Sequence, residues 1–99
     1  MFIVLVMHNC KPGMVEKAIH RIDRNGDEMA NIPGFLYRYR TQGKSSELAI
    51  GTVTGWLDEA SYEAWLEVKK TLPPEEGESP YESATSERHY VKRSQFTQE

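Results

Sequence analysis

Apolar positions along this chain change their period repeatedly, and the changes mark its elements. Phe2 to His8 is a run rich in Val, Ile and Leu, closed by Asn9 and by the breaker pair Pro12-Gly13, which predicts a strand. Phe2, Val4 and Val6 take one side of it and Ile3, Leu5 and Met7 the other, so this strand needs cover on both faces. From Gly13 to about Ala30 the period becomes helical. Val15, Ala18, Ile19, Ile22, Gly26 and Met29 form one stripe, while Glu16, His20, Arg24 and Asp27 point away. Glu16, His20, Arg24 and Glu28 make an i, i+4 ladder of the kind found on a solvated face. Asn31-Ile32-Pro33-Gly34 stops the helix.

Strict alternation follows from Phe35 to Thr41, with Phe35, Tyr37 and Tyr39 on one face and Leu36, Arg38 and Arg40 on the other. Gln42 to Ser46 supplies turn chemistry, and Glu47 to Trp56 makes the return strand. Leu48, Ile50, Thr52, Thr54 and Trp56 share one face of that strand. The opposite face, Ala49, Gly51, Val53 and Gly55, is small and leaves room for a helix, a partner chain or a ligand. Asp58 reads as an N-cap with Glu59 in the first turn. Tyr62, Trp65, Leu66, Val68 and Leu72 then form the stripe of a second helix, which Pro73-Pro74 ends. Residues 73–84 read as an acidic loop without periodicity. Thr85 to Arg93 alternates weakly and reads as the last strand, with a frayed tail at 95–99.

The resulting order is β-α-β-β-α-β, a ferredoxin-like α+β arrangement in which two helices cover one face of a four-stranded antiparallel sheet. The other face is left bare, yet the first strand is apolar on both sides and the second hairpin also offers aromatics and aliphatics. A bare apolar sheet face on so small a domain predicts a partner, most simply a second copy related by a two-fold axis.

Composition narrows the function classes. At 99 residues the chain makes one domain. Its net charge of -3, with both signs interspersed, argues against nucleic acid or an anionic membrane surface. Cys10 is the only cysteine, and His8, His20 and His89 are too far apart for a ligand pair, so neither a disulfide nor a structural metal is expected. The apolar start is too short for a membrane span and lacks a leader's features, which predicts a cytoplasmic protein.

"IPGFLYRYR" and "GWLDEASYEAWL", on this element order, resemble the antibiotic biosynthesis monooxygenase domain family. The match rests on Pro33-Gly34-Phe35 opening the second strand, on Trp56 closing the third, and on Tyr62 and Trp65 following Trp56 at six and nine residues. The resemblance implies a dimeric α/β barrel and two possible chemistries. In the cofactor-independent monooxygenases of aromatic polyketide pathways, the positions matching Trp56 and Tyr62 line a substrate cavity between helices and sheet. Thr52 stands where that branch has asparagine, and the branch's arginine has no counterpart in the acidic loop. In the heme-degrading branch the functional tryptophan matches Trp65. Its first-strand asparagine aligns with Val6 or Met7, with Asn9 nearby, and its helical histidine has no match before His89.

The expectation is therefore a monooxygenase of a small aromatic, phenol- or quinone-like substrate, using oxygen without a cofactor. Trp56, Tyr62 and Trp65 are the candidate catalytic residues, and Tyr37, Thr52, His8 and Asn9 the candidate substrate-binding ones. His8 could serve as a general base near neutral pH, or simply lie at a surface or interface. Heme with Trp65 is the alternative cofactor. A non-catalytic dimer that binds a small ligand or serves assembly, its aromatics filling the core, is the alternative of another class.

Overall fold

The computed structural model describes residues 1–92. It contains β1 (Phe2–Cys10), α1 (Val15–Met29), β2 (Phe35–Gln42), β3 (Ala49–Trp56), α2 (Glu59–Lys69) and β4 (Tyr81–Tyr90). The strands form one antiparallel sheet in the order β2-β3-β1-β4, the ferredoxin-like α+β architecture expected from the sequence.

The central pair β1 and β3 sets the layout. Phe2 stands opposite Trp56, Val4 opposite Thr54, Val6 opposite Thr52 and His8 opposite Ile50. Because side chains alternate with period two, this register turns all eight toward the helices and leaves Ile3, Leu5, Met7, Gly51, Val53 and Gly55 on the other face. Two apolar clusters form on the helix side. One joins Phe2, Val4, Trp56, Tyr62 and Trp65; the other joins Cys10, Ala18, Ile22 and Ile50. Val6 and His8 lie between them on β1 and are only half-buried. That gap in the core is where the cavity described below opens.

α2 begins as its sequence predicts. The Asp58 carboxylate accepts hydrogen bonds from the backbone N–H and the hydroxyl of Ser61, each at 2.8 Å. These bonds hold its pKa below the ordinary carboxylate value. Tyr62 and Trp65 are the buried residues of the helix.

Three expectations are corrected. First, β2 does not keep one alternation. Phe35 pairs with Trp56 and Tyr37 with Gly55, so a register shift between them puts two residues against one step of β3. Phe35 packs edge-on against Trp56 on the helix side, at 5.5 Å between ring centroids. Tyr37 and Tyr39 fall on the opposite face, and Arg38 turns under the helices. Second, β4 starts at Tyr81, so the acidic loop ends at Pro80. β1 runs on to Cys10, and a second register shift lets Cys10 pair with Tyr81 while Pro80 accepts the Lys11 N–H at 2.8 Å. Burial of Pro80 and the long β1 template, neither visible in the polar string "SPYES", extend the strand.

Third, the small face of β3 makes room for no helix. It lies on the uncovered side, where Tyr37 packs over Gly55 so closely that a Cβ there would overlap its ring. Leu5, Met7, Thr41, Gly51 and Val53 border a shallow groove of about 320 Å³ beside it. The expected tail at 95–99 lies outside the described residues. Gly55→Ala should destabilise the protein by about 1–3 kcal/mol through overpacking. Urea denaturation would measure it, and the cost should shrink in the Gly55→Ala, Tyr37→Ala double variant.

Candidate active site

Between the helices and the sheet lies a cavity of about 380 Å³. Its sheet side is Val4, Val6, His8, Thr52 and Thr54; Tyr62, Trp65 and Leu66 of α2 and Ile22 and Met29 of α1 supply the apolar remainder. The volume lies within the range of small-molecule sites, and the wall mixes aromatic surface with a few polar groups.

The candidates do not all meet there. Tyr62 and Trp65 border the cavity, as do Thr52 and His8. Trp56 does not, contrary to expectation. It is fully buried behind Tyr62, with ring centroids 5.8 Å apart, and its indole N–H donates to Thr54 Oγ1 at 3.2 Å. Tyr37 stands on the far face of the sheet, moved there by the β2 register shift. Asn9 also projects to that face, where its amide donates to Ser83 Oγ at 2.9 Å. Tyr62 is itself tightly held, with Phe2 at 5.8 Å and the Arg88 guanidinium 5.1 Å above its ring.

His8 is the imidazole of the wall. Its Nδ1 lies 3.2 Å from the Ile50 carbonyl oxygen, which can only accept, so Nδ1 carries the proton and Nε2 the free lone pair. The ring is stacked at 4.6 Å from that of Tyr81. Burial pushes its pKa below the ordinary value of 6.5; the Ile50 bond opposes this, and the charges of Arg38 and Lys69 add to it. His8 is thus neutral at pH 7 and able to accept a proton. Tyr81, also half-buried, has its pKa raised by desolvation.

Sequence reasoning missed the cations. Arg21, Arg24, Arg38 and Lys69 border the cavity, and Glu75 is the acid among its wall residues. Arg24 was expected on a solvated face. Instead its guanidinium binds Glu75 at 2.7 Å and the Pro73 carbonyl at 2.8 Å. Arg21 reaches the Glu76 carbonyl at 3.2 Å, and Lys17 the Glu78 carbonyl at 2.5 Å. The acidic loop is thereby strapped along α1 and closes one side of the cavity. The signal was present in the sequence: Lys17, Arg21 and Arg24 at i, i+4 and i+7 put three cations on one edge of a helix, opposite an acidic stretch in need of partners.

The donor set does not fit heme held from α2. That helix carries no histidine, and His89 stands on β4 opposite Ile3, on the face away from the cavity, with its ring against Glu87. Among the described residues no group of three His, Cys, Asp or Glu side chains could hold a metal ion, and no helix is long and apolar enough to cross a membrane.

Helices on one face of this sheet, with a cavity between them, give the chain the fold of the antibiotic biosynthesis monooxygenase-like proteins. Among solved structures it is similar to PA3566 from Pseudomonas aeruginosa, with a TM-score of 0.76 at 12% identity over 93% of this chain and 94% of that one. It is similar to the heme-degrader MhuD from Mycobacterium tuberculosis, determined with two hemes in its active site: TM-score 0.73, 16% identity, 92% and 95% of the chains. It is also similar to SnoaB, a cofactor-independent oxygenase from Streptomyces nogalater: TM-score 0.71, 10% identity, 95% of both chains. No family model and no curated protein matches the sequence.

The lowered pKa of His8 has a thermodynamic sign. Just below pH 6.5 the unfolded chain binds a proton there and the folded chain does not, so stability rises with pH in that window and is lost on acidification through it. Urea melts at a series of pH values should show this slope in the native protein and a flatter one in His8→Gln.

Proposed function

We propose that the protein is a cofactor-independent monooxygenase of a small phenol- or quinone-like aromatic, bound between Tyr62 and Trp65 on the helix side and His8 on the sheet side. The observation that carries this reading is the placement of His8, its Nδ1 held 3.2 Å from the Ile50 carbonyl oxygen, in the wall of a cavity that Tyr62 and Trp65 also line. An anthrone illustrates the chemistry. His8 Nε2 takes the acidic ring proton, and the resulting anion gives one electron to O2. The two radicals join in a C–O bond, and the imidazolium returns its proton to the peroxide. Loss of water across the adjacent C–H and O–O bonds leaves a carbonyl. One oxygen atom enters the product, the other leaves as water, and all four electrons come from the substrate. The protein's tasks are to move that proton, exclude bulk water and keep the anion in place. Thr52, at the floor, offers a hydroxyl to the developing oxyanion. Trp56 supports Tyr62 from behind and stays out of the reaction.

Oxygen uptake with dithranol, an anthrone, tests this reading. One O2 should be consumed per quinone formed. His8→Gln should lower kcat by roughly 100-fold, and Trp65→Ala should raise KM. Trp56→Phe should lower stability while the folded protein keeps its kcat. Uptake no faster than in buffer, or a His8→Gln protein as fast as the native one, would sink the proposal. A stoichiometric Soret shift on hemin titration, lost in Trp65→Ala, would turn the reading to heme.

We also infer a homodimer through the uncovered sheet face. Met7 and Tyr39 are 43% and 64% exposed there, beside Leu5, Val53 and the groove over Gly51. Sedimentation at micromolar concentration should give twice the chain mass of 11.4 kDa, and Val53→Lys should give a folded monomer. A native monomer at that concentration would exclude this interface.

A further inference from the structure

Arg38 is an anomaly in the cavity wall. Its guanidinium is half-buried, and Nη1 donates to the Ile22 carbonyl at 2.7 Å. Its Nε is buried without a hydrogen-bond acceptor, and among the described residues no carboxylate forms a salt bridge with it. Asp23, the nearest acid by its effect on Arg38, sits 3.9 Å from Arg40 instead. A guanidinium withdrawn from water without a counter-ion is costly, and the sequence accepts a second cost to place it. Gly26 stands inside α1, where glycine loses about 1 kcal/mol of helix propensity relative to alanine. A Cβ at Gly26 would meet Arg38 Nη1 at 2.6 Å. The missing Cβ leaves the space that the guanidinium occupies.

The surroundings carry the same sign. Arg21, Arg24, Arg38 and Lys69 border the cavity with Glu75 as the one acidic wall residue, and Glu75 is already shared by Arg21 at 3.5 Å and Arg24 at 2.7 Å. Four cations against one anion leave three positive charges here, on a chain whose net charge is -3. Fields focused in a low-dielectric cleft favour an anion. Across the cavity, Val4, Val6, Tyr62 and Trp65 provide apolar surface for a ring.

We propose that the cavity selects an aromatic carboxylate, with the ring against Tyr62 and Trp65 and the carboxylate accepting from Arg38 in the slot beneath Gly26. This substrate class rests on the monooxygenase reading above but is tested by binding alone. A planar guanidinium that borders the cavity with no carboxylate partner among the described residues suits a carboxylate ligand.

Isothermal titration with 2-naphthoate and its uncharged counterpart 2-naphthamide tests the proposal without any turnover. The native protein should bind the acid at least roughly tenfold more tightly than the amide. Arg38→Gln should equalise the two, Arg38→Lys should keep part of the preference, and Trp65→Ala should weaken both. Added salt should weaken the acid and leave the amide unchanged, an effect readable even if Arg38→Gln fails to fold. Equal native affinity for both ligands would overturn the selection of an anion while leaving an aromatic cavity in place. A preference that persists in folded Arg38→Gln would overturn the role of Arg38. Binding of neither ligand would overturn this proposal and the aromatic-substrate reading together.

Discussion

Register is the constraint on which everything else in this fold depends. With Phe2 set opposite Trp56, every even-numbered side chain of β1 and β3 is committed to the helices and every odd-numbered one to the open face. A slip of one residue would bring Gly51, Val53 and Gly55 under the helices and lose both the aromatic core and the imidazole of the cavity. Register shifts interrupt the alternation at two places, where Cys10 meets Tyr81 and in β2. The β2 shift keeps Phe35 with Trp56 and then exchanges the faces of the strand, sending Tyr37 outward and Arg38 inward. The cavity's most unusual group is therefore placed by a backbone irregularity.

The two tryptophans illustrate how one aromatic motif divides between structure and site. Trp56, at the end of β3, is enclosed by Phe35 and Tyr62 and has its N–H satisfied by Thr54. Trp65, on α2, is as deeply buried in the core but has the cavity on one side. A residue of the first kind fixes the position of Tyr62; one of the second kind forms part of the cavity wall. Sequence spacing alone gives both the same appearance, because both lie on apolar stripes.

Much of the fold was legible from period. The helix stripe of α1, the Asp58 cap, the two-sided apolarity of β1 and the element order all follow from local pattern, and local pattern is where short-range physics dominates. What escaped was set at long range. The β2 shift is a compromise between the Phe35–Trp56 contact and the Tyr37–Gly55 contact, and the string "FLYRYRT" contains no glycine or proline to announce it. β4 begins early because β1 offers a partner for Tyr81. Of the residues that border the cavity, His8, Thr52, Tyr62 and Trp65 were singled out from the sequence, whereas Arg38 and Arg21 were not. An arginine in an alternating strand reads as solvated until the glycine that receives it, twelve residues earlier in another element, is seen beside it.

The strap between α1 and the acidic loop has a consequence for how this molecule fails. Lys11 and Lys17 both hold Glu78, Arg21 holds Glu76 and Arg24 holds Pro73, through side-chain or backbone oxygens. Exposed pairs of this kind are individually worth less than about 1 kcal/mol. No one of them is a latch, and together they behave like stitches in a seam. Loss of a single cation would loosen one stretch of the cavity rim while its neighbours stay fastened, so damage accumulates by degrees.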